Sequence, residues 1–448
     1  MSHDAGVDGA SAFAPIRMLE IEISRHVADI TPERDRQGQV YTRAWALVRL
    51  HDEPIGIVTL ALPEGTLAGA AVAQAIWGAL HLEIAEHLRA DAMPPLSALE
   101  VSGIPGPAAP PCVLARERAV IGAPFVSVII ATRDRTESLA ACLQAFNAVH
   151  YPNYEIIVVD NAPTTDSTAE LIASTYSGDH RVTYVREPQP GLSWAHNCGL
   201  RHAHGEFIAF TDDDVIVDRY WLGELVRGFS LGIEVGCVTG LVMPQEIETP
   251  SQYWFETNTG FNKGFEQRVF DLRLNRPADP LFPYRAAMFG TGANMAFRAT
   301  ALRAIGGMDP ALTAAGPDLD AFFRIIKAGY QLVYQPSALV HHLHRADYAS
   351  LRRQCYNYGV GLTAYLTKVV MTDPLDGVRL VSRLPAVIAF ARRSRSVDGP
   401  TAWVDYPPEL TKVELRGRLH GPLAYARARW DYRRTLRHAR RAEVQGSH

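Results

Sequence analysis

From Pro124 onward the chain alternates short apolar runs with amphipathic stretches. Phe125–Ala131 is rich in β-branched residues, Glu137–Phe146 has helical spacing, Tyr154–Asp160 is a second apolar run ending in an acid, and Asp166–Tyr176 is helical behind an Asp/Ser start. Val182–Val185, Ser193–His202 and Glu206–Thr211 continue the series as strand, helix and strand. Short buried strands alternating with helices predict an α/β fold with a doubly wound, mainly parallel sheet. Ligands of such sheets bind at the carboxyl ends of the strands. Further on, Tyr220–Phe229 reads as helix and Gly236–Met243 as strand. Phe297–Ala304, Leu319–Ala328 and Tyr348–Lys368 read as helices, and Leu332–Val340 is another apolar run. Pro244–Pro283 shows neither period, yet it carries Tyr253, Trp254, Phe255, Phe261 and Phe265. An aromatic irregular stretch of that length points to function rather than disorder.

Before residue 103 the pattern is different. Met18–Ile23, Trp45–Leu50 and Pro54–Leu62 have strand-like composition, the last two as a hairpin. Ala70–Leu88 places Val72, Ile76, Leu80 and Ile84 on one helical face. The organisation this implies is a loose tail over 1–14, a small α+β domain over 15–102 and a Pro-rich linker over 103–123. An α/β domain follows over 124–345, then a helical, basic region over 346–448. Docking onto the α/β domain or self-association is the default role for 15–102.

Charge modifies this picture at one end. The 448-residue chain has a net charge of −4, which gives no global sign of a nucleic-acid partner. Thr411–His448 nevertheless holds ten Lys/Arg against three Asp/Glu, a net of +7, leaving −11 for the rest. A basic tail on an acidic body is either a solvated helical face or a contact for an anionic surface such as lipid head groups. Arg379, Arg383, Arg392, Arg393 and Arg395, beside the apolar Leu384–Ala391, add to the second reading. There are five cysteines, and no pair has CxxC spacing. This argues against a disulfide framework or a zinc site and fits a reducing compartment. No signal-like start and no apolar stretch of about 18 residues is seen. The expected location is cytoplasmic, with peripheral contact at the inner face of the plasma membrane.

The candidate chemistry lies at strand ends. Ala131-Thr132-Arg133-Asp134-Arg135 ends the first strand of the α/β domain, Asp160-Asn161 the second and Asp212-Asp213-Asp214 the fourth. Three adjacent carboxylates repel one another and call for a cation, most simply a divalent metal with oxygen ligands. The bland reading is a solvated acidic turn capping the next helix. Asp160 is either an acceptor for a base or ribose or a turn cap. The first loop lacks GxGxxG and GxxxxGK[ST], which disfavours dinucleotide oxidoreductases and P-loop NTPases.

Several segments resemble family 2 glycosyltransferases, which have the GT-A fold. Val126–Arg135 is similar to their opening strand and Glu155–Asn161 to their second. Gly191–Leu200 resembles G-x-x-x-A-R-N-x-G-[LI], and Gly205–Asp214 resembles G-E-[YF]-[IL]-x-F-x-D-x-D. Gly306-Gly307-Met308-Asp309 with Asp318-Leu319-Asp320 matches the acceptor-side block, and Val340–Arg345 resembles the V-x-H motif after it. The likeness covers about residues 124–368. It implies an inverting, metal-assisted transfer of a sugar from a nucleotide-diphosphate donor to a glycan or lipid-linked acceptor. Asp160, Asn161, Asn197 and Ala131 to Arg133 would line the nucleotide-sugar pocket. Asp212 and Asp214, with His342, would hold Mn²⁺ or Mg²⁺, and Asp213 would touch the ribose or the metal shell. Asp318 would be the general base, with Asp320 as its alternate. Two departures stand out. Pro317 replaces the usual Glu, placing Asp318 near a helix start where the dipole lowers a carboxyl pKa. His196 replaces the usual Arg and removes a fixed positive charge. The aromatic loop Tyr253–Phe265 either stacks on an acceptor sugar or packs as an ordinary loop. Two rivals remain at this level: a sugar-phosphate nucleotidyltransferase, disfavoured by the glycine-free first loop, and a non-catalytic nucleotide-sugar or glycan-binding protein.

Overall fold

The computed structural model describes residues 13–106, 109–383, 385–386 and 404–446. Residues 1–12, nearly all of Leu384–Ala391, Arg392, Arg393 and Arg395, and the linker residues up to 403 lie outside the described residues.

Three strands, β1 (Arg17–Glu22), β2 (Arg43–Leu50) and β3 (Glu53–Ala61), form a small sheet in that order. β1 is parallel and β3 antiparallel to β2. The helix Gly69–Ala90 buries Val72, Ile76, Leu80 and Ile84 in a core shared with Ala46, Val48 and Val58 of the sheet.

Among the described residues the second sheet has nine strands. β4 (Val126–Thr132), β5 (Tyr154–Asn161), β6 (Val182–Glu187) and β7 (Phe207–Asp212) lie parallel in the order β7-β4-β5-β6. The order reverses at β4, so the ends of β4, β5 and β7 open a crevice. Beyond β7 the sheet is mixed. It continues through β8 (Val215–Val217), β9 (Val235–Pro244), β10 (Arg268–Phe270), β11 (Asn294–Arg298) and β12 (Gln331–His342). The spatial order there is β10-β12-β9-β11-β7, with β11 antiparallel to both neighbours, β12 parallel to β9, and β8 on the end of β12. Alternate residues of β4 feed opposite cores: Val128 and Ile130 meet Leu139, Leu143 and Trp221, while Ile129 meets Ala195 and Cys198.

Three expectations need correction. Phe297–Ala304 reads as one helix, but Asn294–Arg298 is strand and only Ala299–Ala304 is helical. Asn294 to Phe297 are buried between β7 and β9, and that tertiary setting overrides local preference. Residues 103–123 are not linker throughout, because Pro111–Val120 is a helix opened by Pro111. Within Pro244–Pro283, Pro250–Asn258 is a helix started by a Thr249–Gln252 capping box.

The small domain docks on the large sheet. Leu47 joins Leu241, Met243 and Leu339 in one apolar cluster. Arg49 pairs with Asp218, Arg219 with Asp52 and Arg227 with Glu53, each at 2.7 Å. On β12, His341 Nε2 lies 3.0 Å from Glu20 of β1. At the other end, Tyr348–Thr372 and Pro408–Gly446 run side by side in the same direction, as the pairs Tyr348–Glu409 and Ala364–Tyr425 show. Glycines allow the close approach: a Cβ at Gly359 would overlap the Glu414 carbonyl, and one at Gly417 the Tyr356 carbonyl. Among the described residues no helix is long and apolar enough to cross a membrane.

Candidate active site

The crevice at the strand ends opens into a cleft of about 560 Å³. β4 brings Ala131, Thr132 and Arg133 to it, β5 brings Asn161, and β7 delivers Asp212 with Asp213 and Asp214. β12 ends on His342, and the helix Pro317–Lys327 begins with Asp318 on the cleft wall. Gln354, Tyr358, Leu362 and Glu414 close another side from the paired helices.

The acidic triplet divides its work. Asp213 accepts from Thr132 Oγ1 at 2.7 Å and pairs with Arg135 at 2.5 Å. Asp214 pairs with Arg135 at 2.7 Å and with Arg345 at 3.5 Å. His342 Nε2 faces both outer acids, 3.4 Å from Asp214 Oδ1 and 3.9 Å from Asp212 Oδ2. Asp212, Asp214 and His342 each offer a ligand atom, all within 4.8 Å of one another. Burial, with Asp214 and Asp213 beside it, pushes Asp212 up to about 8. Burial also opposes ionisation of Asp214, but His342 and Arg135 hold it below the usual range. Two arginines therefore pair with Asp213 and Asp214 and leave Asp212 without such a partner among the described residues, where an extra cation fits. His342 is kept neutral by burial, which lowers its pKa to about 4. Its other nitrogen lies 3.2 Å from His344 Nδ1, and His344 Nε2 lies 2.9 Å from Glu256. A carboxylate–His–His string of this kind orients a ligating ring.

Asp160 is fully buried. Its Oδ2 accepts from Tyr184 at 3.0 Å, while Oδ1 has no hydrogen-bond partner among the described residues. Burial raises its pKa. Asn161 lines the cleft, but its amide spans the neighbouring loop, donating to Gln189 O at 2.7 Å and accepting from Gly191 N at 2.8 Å. Asn197 does not line the cleft. Both ends of its amide bond Met308, N and O, at 2.8 Å, so it braces the Gly307–Met308 turn.

Asp318 sits behind Pro317 in the first helical turn, and its Oδ2 accepts from Gly292 N at 3.0 Å. The expected lowering of its pKa is reversed: burial raises it and outweighs the N–H groups of Leu319 and Gly292. Asp320 is buried away from the cleft. It is held by Arg324 at 2.6 Å and Lys368 at 2.8 Å, and Lys368 also pairs with Asp309. His196 packs on Phe210 with ring centroids 4.7 Å apart, and burial lowers its pKa to about 4, so it supplies no charge. Arg135 and Arg345 supply it instead. Arg135 lay in the loop Ala131–Arg135 and Arg345 at the end of the segment Val340–Arg345, and neither was singled out as a site residue from sequence. Lys263, also on the cleft wall, had no sequence signal. Of the aromatic stretch only Phe261 reaches the cleft. Tyr253 and Phe255 are buried, against Trp45 and His344.

Residues 127–306 match the family described as glycosyl transferase family 2. The pre-mycofactocin glycosyltransferase of Mycobacterium tuberculosis is 27% identical over 224 residues, covering 50% of this chain and 43% of that protein. Glycosyltransferase AglE of Haloferax volcanii is 37% identical over 122 residues, 27% of this chain and 40% of that protein. The chain thus spans less than half of either relative. A mannosyltransferase from Pyrobaculum calidifontis, solved with GDP-Man and Mn²⁺, aligns at 21% identity and a TM-score of 0.41, covering 70% of this chain and 92% of that one.

Proposed function

With residues 127–306 a glycosyl transferase family 2 segment, we propose that this chain transfers a sugar from a nucleotide-diphosphate donor to an acceptor hydroxyl with inversion. The observation that carries the reading is the meeting of Asp212, Asp214 and His342 at the strand ends, with Asp318 on the wall of the same cleft. Asp212, Asp214 and His342 would hold Mn²⁺ or Mg²⁺, which neutralises the departing diphosphate. The unpaired Oδ1 of Asp160 is suited to accept from the base, and Thr132 with Arg133 lies beside it. Asp213, fixed by Thr132 and Arg135, keeps that loop in place. Asp318, held by the Gly292 amide, takes the proton of the incoming hydroxyl. Asp320 is spent on Arg324 and Lys368, which leaves Asp318 as the base.

The acceptor is a glycan or a lipid-linked sugar of the cell envelope, reached from the cytoplasmic side. Exposed Leu375, Val378 and Val381 beside Arg379, together with the basic helix Pro408–Gly446, support peripheral contact with anionic lipid. Co-sedimentation should show a preference for anionic over neutral vesicles, and equal binding counts against the contact. The central test is release of the nucleoside diphosphate from a panel of sugar nucleotides with Mn²⁺. Turnover abolished in Asp214→Asn supports the reading. Binding of sugar nucleotides without turnover on any donor or acceptor overturns it.

A further inference from the structure

A second cluster lies outside the cleft, in the small domain. His51 sits in the turn between β2 and β3, in the left-handed region at φ 56°. His87 and Asp91 end the helix Gly69–Ala90, four residues apart, and Cys112 lies in the first turn of Pro111–Val120. Their four ligand atoms define a tetrahedron, and all six edges can be stated. His51 Nδ1 is 3.1 Å from His87 Nε2 and 3.0 Å from Asp91 Oδ2, and His87 Nε2 is 3.3 Å from Asp91 Oδ2. Cys112 Sγ is 3.5 Å from His51 Nδ1, 3.7 Å from His87 Nε2 and 2.8 Å from Asp91 Oδ2. Nitrogen, oxygen and sulfur donors at ordinary zinc distances around a tetrahedral centre lie roughly 3.3–3.6 Å apart.

We propose that His51, His87, Asp91 and Cys112 form a structural Zn²⁺ site that staples the hairpin, the long helix and the linker helix together. The chemistry favours a metal over a thiol–imidazole–carboxylate relay. A relay needs the thiol and the carboxylate on opposite nitrogens of one ring. Here both face the same nitrogen of His51 and the same nitrogen of His87. Those two nitrogens also face each other, so at most one proton fits between them. All four donors converge on a shared point, as they do around a cation. Supporting groups are in place: Asp91 Oδ1 accepts from Cys112 N at 2.9 Å, and Glu53 stands 4.0 Å from His87 Nδ1. Three of the four side chains are at most a tenth exposed and Cys112 is half-buried, as befits a structural site. On binding, the Cys112 thiol releases its proton to solvent, so affinity rises with pH. The sequence shows no paired cysteines because the other three ligands come from distant segments.

The site also fixes how the two domains meet. Arg116, one turn after Cys112, donates to the His51 carbonyl at 3.1 Å and stacks 4.1 Å over Tyr220 of the large domain. The experiment uses the full chain expressed in zinc-supplemented medium. Metal analysis after gel filtration should find one zinc per chain. Replacement with Co²⁺ should give a thiolate-to-cobalt charge-transfer band and tetrahedral d–d bands. Asp214→Asn should retain that band, because the cleft cluster has no sulfur, and Cys112→Ser should lose it. Wild-type protein that purifies without zinc and gives no such band overturns the proposal, as does a band that persists in Cys112→Ser.

Discussion

Asp212, Asp214 and His342 face an open cleft, whereas His51, His87, Asp91 and Cys112 are enclosed by a hairpin, a helix end and a linker helix. The open cluster has three donors of mainly hard character, and two arginines already pair with one of its acids, Asp214. The closed cluster has four donors, one of them sulfur, all within 4.8 Å of one another. On the proposed roles, the difference follows from what each must do. A site that exchanges substrate needs vacant positions and tolerates an approximate shell, while a staple needs none vacant. Chain order differs as well. The open set sits at strand ends that the sheet brings together, so its members carry sequence signatures. The closed set depends on packing between elements with no shared motif.

The largest effect that would sharpen this contrast is expected for Asp214→Asn. Loss of several kcal/mol of charge stabilisation corresponds to roughly a 10⁴-fold fall in kcat. The metal-dependent increment in turnover should vanish, while the sulfur-bearing site keeps its zinc. Next comes Asp318→Asn, with a fall of roughly 10³-fold in kcat and unchanged donor affinity by calorimetry. The pH profile should show the same residue. A carboxyl raised by burial is protonated at higher pH than an ordinary one, and only its ionised form accepts the proton. As pH falls, kcat should therefore drop with unit slope from a point above the ordinary aspartate value. Asp320→Asn should act on stability instead. It removes the buried charge that faces half-buried Arg324 and Lys368, costing about 3 kcal/mol in denaturant titration with kcat unchanged. If Asp320→Asn were dead and Asp318→Asn active, the assignment of the base would be reversed. The smallest effect should be that of His344→Ala, which frees the His342 ring and weakens Mn²⁺ affinity about 10- to 100-fold without altering the closed cluster.

The strand–helix alternation of 124–243 was legible because each strand is short, apolar and punctuated by turn residues. The places of Asp212 and Asp318 on the cleft wall were legible for the same reason, because they follow from strand and helix ends, whereas Asp160 ends its strand as read but is buried outside the cleft lining. Asn197 bonds Met308 outside the cleft lining, a place its motif did not reveal, since a motif asparagine looks the same whether it reaches a ligand or holds a turn. β11 was hidden because both its faces are buried, so it has no alternation to read. The helix 250–258 was signalled by Thr249, Pro250 and Gln252, but its apolar spacing is weak. The arginines that replace the missing charge at His196 come from positions 135 and 345, and only folding makes them neighbours.

The end of β12 carries a consequence of its own. A strand turns successive side chains to opposite faces. His341 is therefore anchored to Glu20 on the small domain while His342, one peptide bond later, points at Asp214. The docking of one domain and the alignment of a cleft residue are thus written on a single rigid rod, and the chain cannot slip at the first without losing register at the second.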